Sequence, residues 1–203
     1  GGRKMKSLKE DFSLMSSLLI PVAVAINFTG FGIAKFLQLP IFLDSIGSVF
    51  ISLIAGPWVG TVTAVITSLI TGSFSPEYFA FIPVAICNAL VVGVLAKMRT
   101  KNLVIKTIIV SLALASASII VSIPIIIKVY GGFTGNASST VVVLFKSIGF
   151  SLEQAVAIAT MLTEAADKIV TAVISILIIK SMSDRYLIKF KYGENYIYKK
   201  NGE

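Results

Sequence analysis

Long apolar runs alternate with short polar connections along this chain, and Lys and Arg collect at only every other connection. The run from Leu14 to Phe36 follows Arg3, Lys4, Lys6 and Lys9, and the run closing at Ala96 meets Lys97, Arg99, Lys101 and Lys106. The final run ends against Lys180 and Arg185. A helix needs about 20 apolar residues to cross the hydrocarbon layer, and cytoplasmic connections carry the excess of Lys and Arg. The pattern predicts an all-α polytopic membrane protein, a bundle of six transmembrane helices with both termini cytoplasmic.

The first span is predicted over Phe12–Ile33, running from inside to outside. Ala23-Val24-Ala25 resembles a signal-peptide cleavage site, but the apolar run continues past it. The second and third spans share Leu39–Gly72 and part at Gly56-Pro57-Trp58, where proline removes a backbone donor and glycine permits a turn. Each half is short for a full crossing. The expectation is tilted helices sheltered by neighbours or a membrane-embedded hairpin, because backbone in lipid must satisfy its own hydrogen bonds. The fourth span is predicted over Tyr78–Ala96, the fifth over Leu103–Ile127, and the sixth from near Glu164 to Ile179. Between the last two lies Lys128–Thr163, which opens on a Gly-rich turn, Tyr130 to Asn136, and continues into an apolar stretch of helical character. It reads as a lid over a binding pocket or as a plain connector. Residues 1–4, ahead of Met5, read as an extraneous leader, residues 5–188 as the membrane domain, and 189–203 as a cytoplasmic tail without a motif.

Composition strengthens the membrane reading: mean hydropathy is +0.91, and 56% of residues are hydrophobic against 14% charged. The net charge of +8 does not point to nucleic acid, since the basic residues sit beside membrane-length runs and form no aromatic-interleaved stripe. They read as topology determinants in contact with anionic lipid. Chemistry is marked by absences. The chain has no histidine, a lone Cys87 within an apolar run, no phosphate-cradling GxxxxGK[ST] and no acidic cluster at metal-ligand spacing. The expectation is no catalytic set, no metal and no cofactor, and any active transport must draw its ATP hydrolysis from another subunit.

Polar groups within or beside membrane spans are costly enough to be functional candidates. Asn27 lies in the first span, Asp44 heads the second, Asn88 is in the middle of the fourth, and Glu164, Asp167 and Lys168 open the sixth. With Glu77, Lys128 and Tyr130, most of these fall on the predicted outer side and are candidates for one outward-facing pocket. Duller roles compete: Asp44 with Ser45 suits a helix amino-terminal cap, Glu164 and Lys168 are an i,i+4 pair, and Asn88 suits an interhelical hydrogen bond. Phe31, Phe74 and Tyr78 belong to an aromatic group near the outer ends of spans, fitting either a boundary belt or a pocket for a flat ring. The two acids and one lysine hint at a ligand with an amine or amidine edge. Ser13 and Ser17, four apart on the first span, form a small-residue face that packs within the chain or receives a partner helix.

Leu43-Asp44-Ser45-Ile46-Gly47, leading to Gly56-Pro57-Trp58-Val59-Gly60, and the closing Glu164-Ala165-Ala166-Asp167-Lys168 resemble the substrate-binding S components of energy-coupling factor (ECF) vitamin transporters. The resemblance runs from Met5 to Ile188 and is nearest to members without an assigned substrate. It implies a multi-pass protein of the bacterial cytoplasmic membrane that captures a vitamin or precursor outside. A transmembrane coupling subunit with two ATPases would drive release inside. It further implies a pocket drawn from Phe31 to Asp44, Phe74 to Tyr78, Asn88, Tyr130 and Glu164 to Lys168. The coupling subunit would dock where Ser13 and Ser17 replace the family's usual Ala-xxx-Ala. A stand-alone membrane sensor domain and a membrane enzyme acting on lipid are the rival expectations.

Overall fold

The computed structural model describes residues 11–100 and 102–197. The basic residues before Asp11, the leader 1–4, Lys101 and the tail end 198–203 lie outside the described residues. Helices account for most of the described chain: α1 Leu14–Phe36, α2 Ile46–Ala55, α3 Pro57–Phe74, α4 Glu77–Ala80, α5 Ile82–Leu95, α6 Leu103–Tyr130, α7 Ser138–Ser147, α8 Leu152–Ser181 and α9 Asp184–Leu187. A single 3-10 turn, Gly193–Tyr196, follows. No strand occurs among the described residues.

The ten residues of α2 are all buried. At ~1.5 Å per residue this helix is about half the thickness of a bilayer core, so it is the axis of the bundle and not a lipid-facing span. α1, α3, α5 and α8 pack around it, and α6 closes the ring through α5 and α8. Close approach explains the small residue at position 47: a Cβ there would lie 2.0 Å from the Ala23 carbonyl of α1. Gly56, at φ 110, makes the turn between α2 and α3, and Pro57 starts α3 where its missing N–H is no loss.

Outside and inside are inverted relative to a water-soluble bundle. Leu14, Leu18, Val22 and Phe36 of α1, Val104, Leu112 and Ile120 of α6, and Leu162, Ile169 and Leu177 of α8 are exposed, whereas Asn27, Thr63, Thr67, Thr71, Ser118, Ser122, Glu164, Asp167 and Lys168 are buried. An apolar exterior of this extent fits lipid, where hydrophobicity supplies no drive between helices and packing falls to small and hydroxyl residues. α1, α3 and α6 are each long and apolar enough to cross a membrane; α2, α5 and α7 are shorter apolar helices. α8 is the longest helix, at 30 residues, with Glu164, Asp167 and Lys168 near its middle.

Two segments differ from expectation. The last long helix begins at Leu152, not near Glu164, because Ser151 and Gln154 form a reciprocal capping box at its start. Its first turns pack against α7 through Val142, Ala155, Val156 and Ala159, so Lys128–Thr163 is a helical hairpin rather than a loop. The chain after Ser181 folds back onto the bundle. Leu187, Phe190 and Tyr196 join the core beside α2, and the Tyr192 N–H donates to the Ile54 carbonyl at 2.9 Å.

Candidate functional site

Residues 37–45 cross from α1 to α2 and are stapled to α8 by one carboxylate. Asp167 Oδ1 accepts from the N–H groups of Phe42 at 3.0 Å and Leu43 at 2.8 Å, and Leu43 is held at φ 55. Asp167 Oδ2 takes a bond from Lys168 Nζ at 2.5 Å. Both oxygens of this fully buried carboxylate are therefore committed within the protein, and it fixes the roof segment instead of facing a cavity.

Asn27 has a similar fate. Its Oδ1 accepts from the N–H of Gly47 at 2.7 Å and of Ser48 at 3.2 Å, capping α2 from another helix. Its Nδ2 donates to Ser48 Oγ at 2.7 Å and Thr67 Oγ1 at 2.9 Å. Ser45 is the residue preceding α2 and makes no side-chain cap, so the capping duty considered for Asp44 and Ser45 is performed by Asn27.

With these two groups spent on architecture, Asp44, Glu77, Tyr78, Asn88, Glu164 and Lys168 are brought together on the wall of one cavity of about 700 Å³, open mouth included. Val49, Ala64, Val84, Ala85 and Ala89 form its apolar side, and Phe42 and Phe81 add rings. A second chamber of about 530 Å³ lies towards the end of α1, bounded by Phe31, Lys35, Gln38, Glu77 and Tyr78. A third, of about 370 Å³, reaches under α7 and shares Phe81 and Glu164 with the first. Phe42 and Asn136 border all three.

Several of the lining groups retain unused hydrogen-bonding capacity. Asn88 Oδ1 accepts from Ser118 Oγ at 3.0 Å, which leaves its amide donors for another partner. Glu164 Oε1 is 3.4 Å from Ser122 Oγ, while its Oε2 lies 3.4 Å from Lys168 Nζ and, like Ser45 Oγ, accepts no hydrogen bond although buried. Burial pushes the Asp44 carboxyl up to about 6, with Lys168 opposing the rise and Asp167 and Glu164 adding to it.

The remaining candidates lie off the cavity. Phe74 is 64% exposed, and its carbonyl accepts from Lys35 Nζ at 3.3 Å. Lys128 is exposed in the last turn of α6. Tyr130 acts from behind the wall: its ring stacks on Phe81 at 5.9 Å and its hydroxyl donates to the Glu77 carbonyl at 3.0 Å. Ser13 caps α1 by accepting from the Ser16 N–H at 3.2 Å, and Ser17 is exposed. Lys106, read as part of a basic connection, is instead wholly buried in the first turn of α6. Ser45, Ser48, Phe81 and Asn136 are lining residues beyond the sequence candidates, and Phe42 lies within the Phe31–Asp44 segment expected at the pocket without having been singled out. Asn136 was within reach of the Gly-rich turn as a signal, whereas Phe42 and Phe81 looked like any other apolar position.

Comparison with protein-family models, with curated proteins and with solved structures finds no match.

Proposed function

We propose that this protein captures a water-soluble vitamin or cofactor precursor at the outer face of a bacterial cytoplasmic membrane and passes it inward, powered by a separate transmembrane coupling subunit and two ATPases. One observation carries the reading: an apolar-sided bundle holds a cavity whose charged and amide groups come from four separate segments and are only partly satisfied by the protein. The walls suit a small, flat, polar-edged solute, apolar on one side with a few convergent polar groups. In this reading six segments make the membrane bundle with both termini in the cytoplasm, and the chamber bordered by Phe31 and Lys35 is the outward vestibule.

A bound solute would be withdrawn from water, where each hydrogen bond and charge contact strengthens. The coupling partner can drive release only by contacting one orientation of the bundle better than the other. The exposed face around Ser17 is where such contact is proposed. An acid–base role on lipid is less favoured, because both oxygens of Asp167 are already bound to Phe42, Leu43 and Lys168.

The test is mass spectrometry of small molecules released from the purified protein, followed by thermal-shift titration with a vitamin panel. A single released solute that restabilises the emptied protein supports capture; no released solute and no stabilising vitamin reject it. Copurification with a coupling subunit and two ATPases separates transport from a stand-alone sensor.

A further inference from the structure

The cavity contains more acid than base. Asp44, Glu77 and Glu164 face it with Lys168 as the opposing cation, and that ammonium is already bound by Asp167 at 2.5 Å. Lys35, in the adjoining vestibule, is turned to Ser75 Oγ and the Phe74 carbonyl. Lys168 is thus paired with both Asp167 and Glu164 while Asp44 and Glu77 border the same hollow, and an excess of negative charge there is unfavourable unless a cation enters or protons do. A second observation points the same way: Glu164 is 5% exposed, and its Oε2 has only a long ion pair with Lys168 at 3.4 Å and accepts no hydrogen bond.

The lining suits an organic group better than a transition metal. No three carboxylate or thiol side chains among the described residues converge as a metal site would require, and the wall between the acids is built from Val49, Ala64, Val84 and Ala85. Such a wall suits carbon. Phe42, Tyr78 and Phe81 add aromatic rings, whose faces attract organic cations.

We infer that the solute is an organic cation, a protonated amine, amidinium or cationic heterocycle joined to a flat ring, whose positive group is received by Asp44 and Glu164. This rests on the capture reading above and narrows its ligand class.

The experiment uses the full-length protein in detergent and two probe sets matched in size but not in charge: benzylamine, benzyl alcohol and benzoate; then thiamine, riboflavin and biotin. Thermal shift and calorimetry are read for each. The expected order is cation above neutral above anion, with benzylamine about tenfold tighter than benzyl alcohol, as an ion pair with a carboxylate in place of a hydrogen bond from a neutral hydroxyl implies. In Glu164→Gln and in Asp44→Asn the ratio of benzylamine to benzyl alcohol affinity falls; either variant that folds suffices. Equal binding across charge, or binding of riboflavin, benzoate or biotin without the cations, overturns the charge assignment and leaves capture standing. Binding of none of the six, with no small molecule released from the purified protein, overturns capture and this inference together.

Discussion

The two ends of α2 solve the problem of buried polar groups in opposite ways. At its carboxyl end, Lys106 is as fully buried as any residue in the chain, yet its ammonium lies 3.9 Å from the Tyr196 ring centre and donates to the Met98 carbonyl at 3.1 Å. Asp11 is paired with Lys191 at 2.7 Å, and Asn195 reaches the Ala96 carbonyl at 2.9 Å. The returning tail supplies every one of these contacts except Met98. At the amino end, Asp44, Glu164 and Lys168 border a hollow, and no returning segment fills it. Similar polar groups are closed off by the chain itself at one end and border a hollow at the other. The difference teaches that burial of charge alone does not mark a site; burial of charge beside empty space does.

Breaking the roof staple has the largest expected effect. Asp167→Ala leaves Lys168 and the Phe42 and Leu43 N–H groups without their acceptor, and the loss of a buried pair is expected to destabilise by about 3–5 kcal/mol, read as a fall in thermal unfolding temperature in detergent. Next, at the tail end, Phe190→Ala is expected to cost about 3 kcal/mol through the cavity it leaves, with ligand affinity unchanged. A Phe190→Ala protein that lost binding would mean that the two ends are not independent. Asn27→Ala strips the cap from α2 and is expected to cost about 2–3 kcal/mol, measured by the same unfolding assay.

The smallest effect is electrostatic. Because the folded-state pKa of Asp44 is raised to about 6 from an ordinary 3.8, the folded form binds a proton that the unfolded form does not between those values. Its unfavourable contribution is fully present above about pH 6 and is relieved as pH falls towards 4. Wild type should therefore gain on the order of 1 kcal/mol relative to Asp44→Asn between pH 7.5 and pH 5. An identical pH response in the two proteins would remove Asp44 from the charged wall.

Much of the helical frame was legible because lipid-facing helices must be continuously apolar. α1 and α6 fall within a few residues of the predicted Phe12–Ile33 and Leu103–Ile127, and the chain turns at Gly56-Pro57 as read. The start of α8 was hidden because Gln154, Thr160 and Thr163 dilute its apolar run. One face of that stretch, Ala155, Val156 and Ala159, packs on α7 while Met161 and Leu162 are exposed, and a helix with one face on protein needs no unbroken apolarity. The tail's return could not be read, since its partners Ile54, Ala96 and Lys106 are remote in the chain. At the site, polar residues in spans were visible as a class. Whether each one braces the fold, as Asn27 and Asp167 do, or faces the hollow, as Asn88 and Glu164 do, depends on hydrogen bonds that no spacing encodes.

α3 shows a different consequence of hydroxyl chemistry. Thr61, Thr63, Thr67 and Thr71 each return their hydroxyl proton to the carbonyl four residues earlier. Two side-chain hydrogen bonds reach α3 from α1, Asn27 Nδ2 to Thr67 Oγ1 at 2.9 Å and Lys35 Nζ to the Phe74 carbonyl at 3.3 Å. α3 is thus pinned to α1 at its middle and at its carboxyl end, spends its threonine hydroxyls within itself, and meets α2 and α5 by close packing, with Gly60 against Ser52 and Pro57 against Gly93.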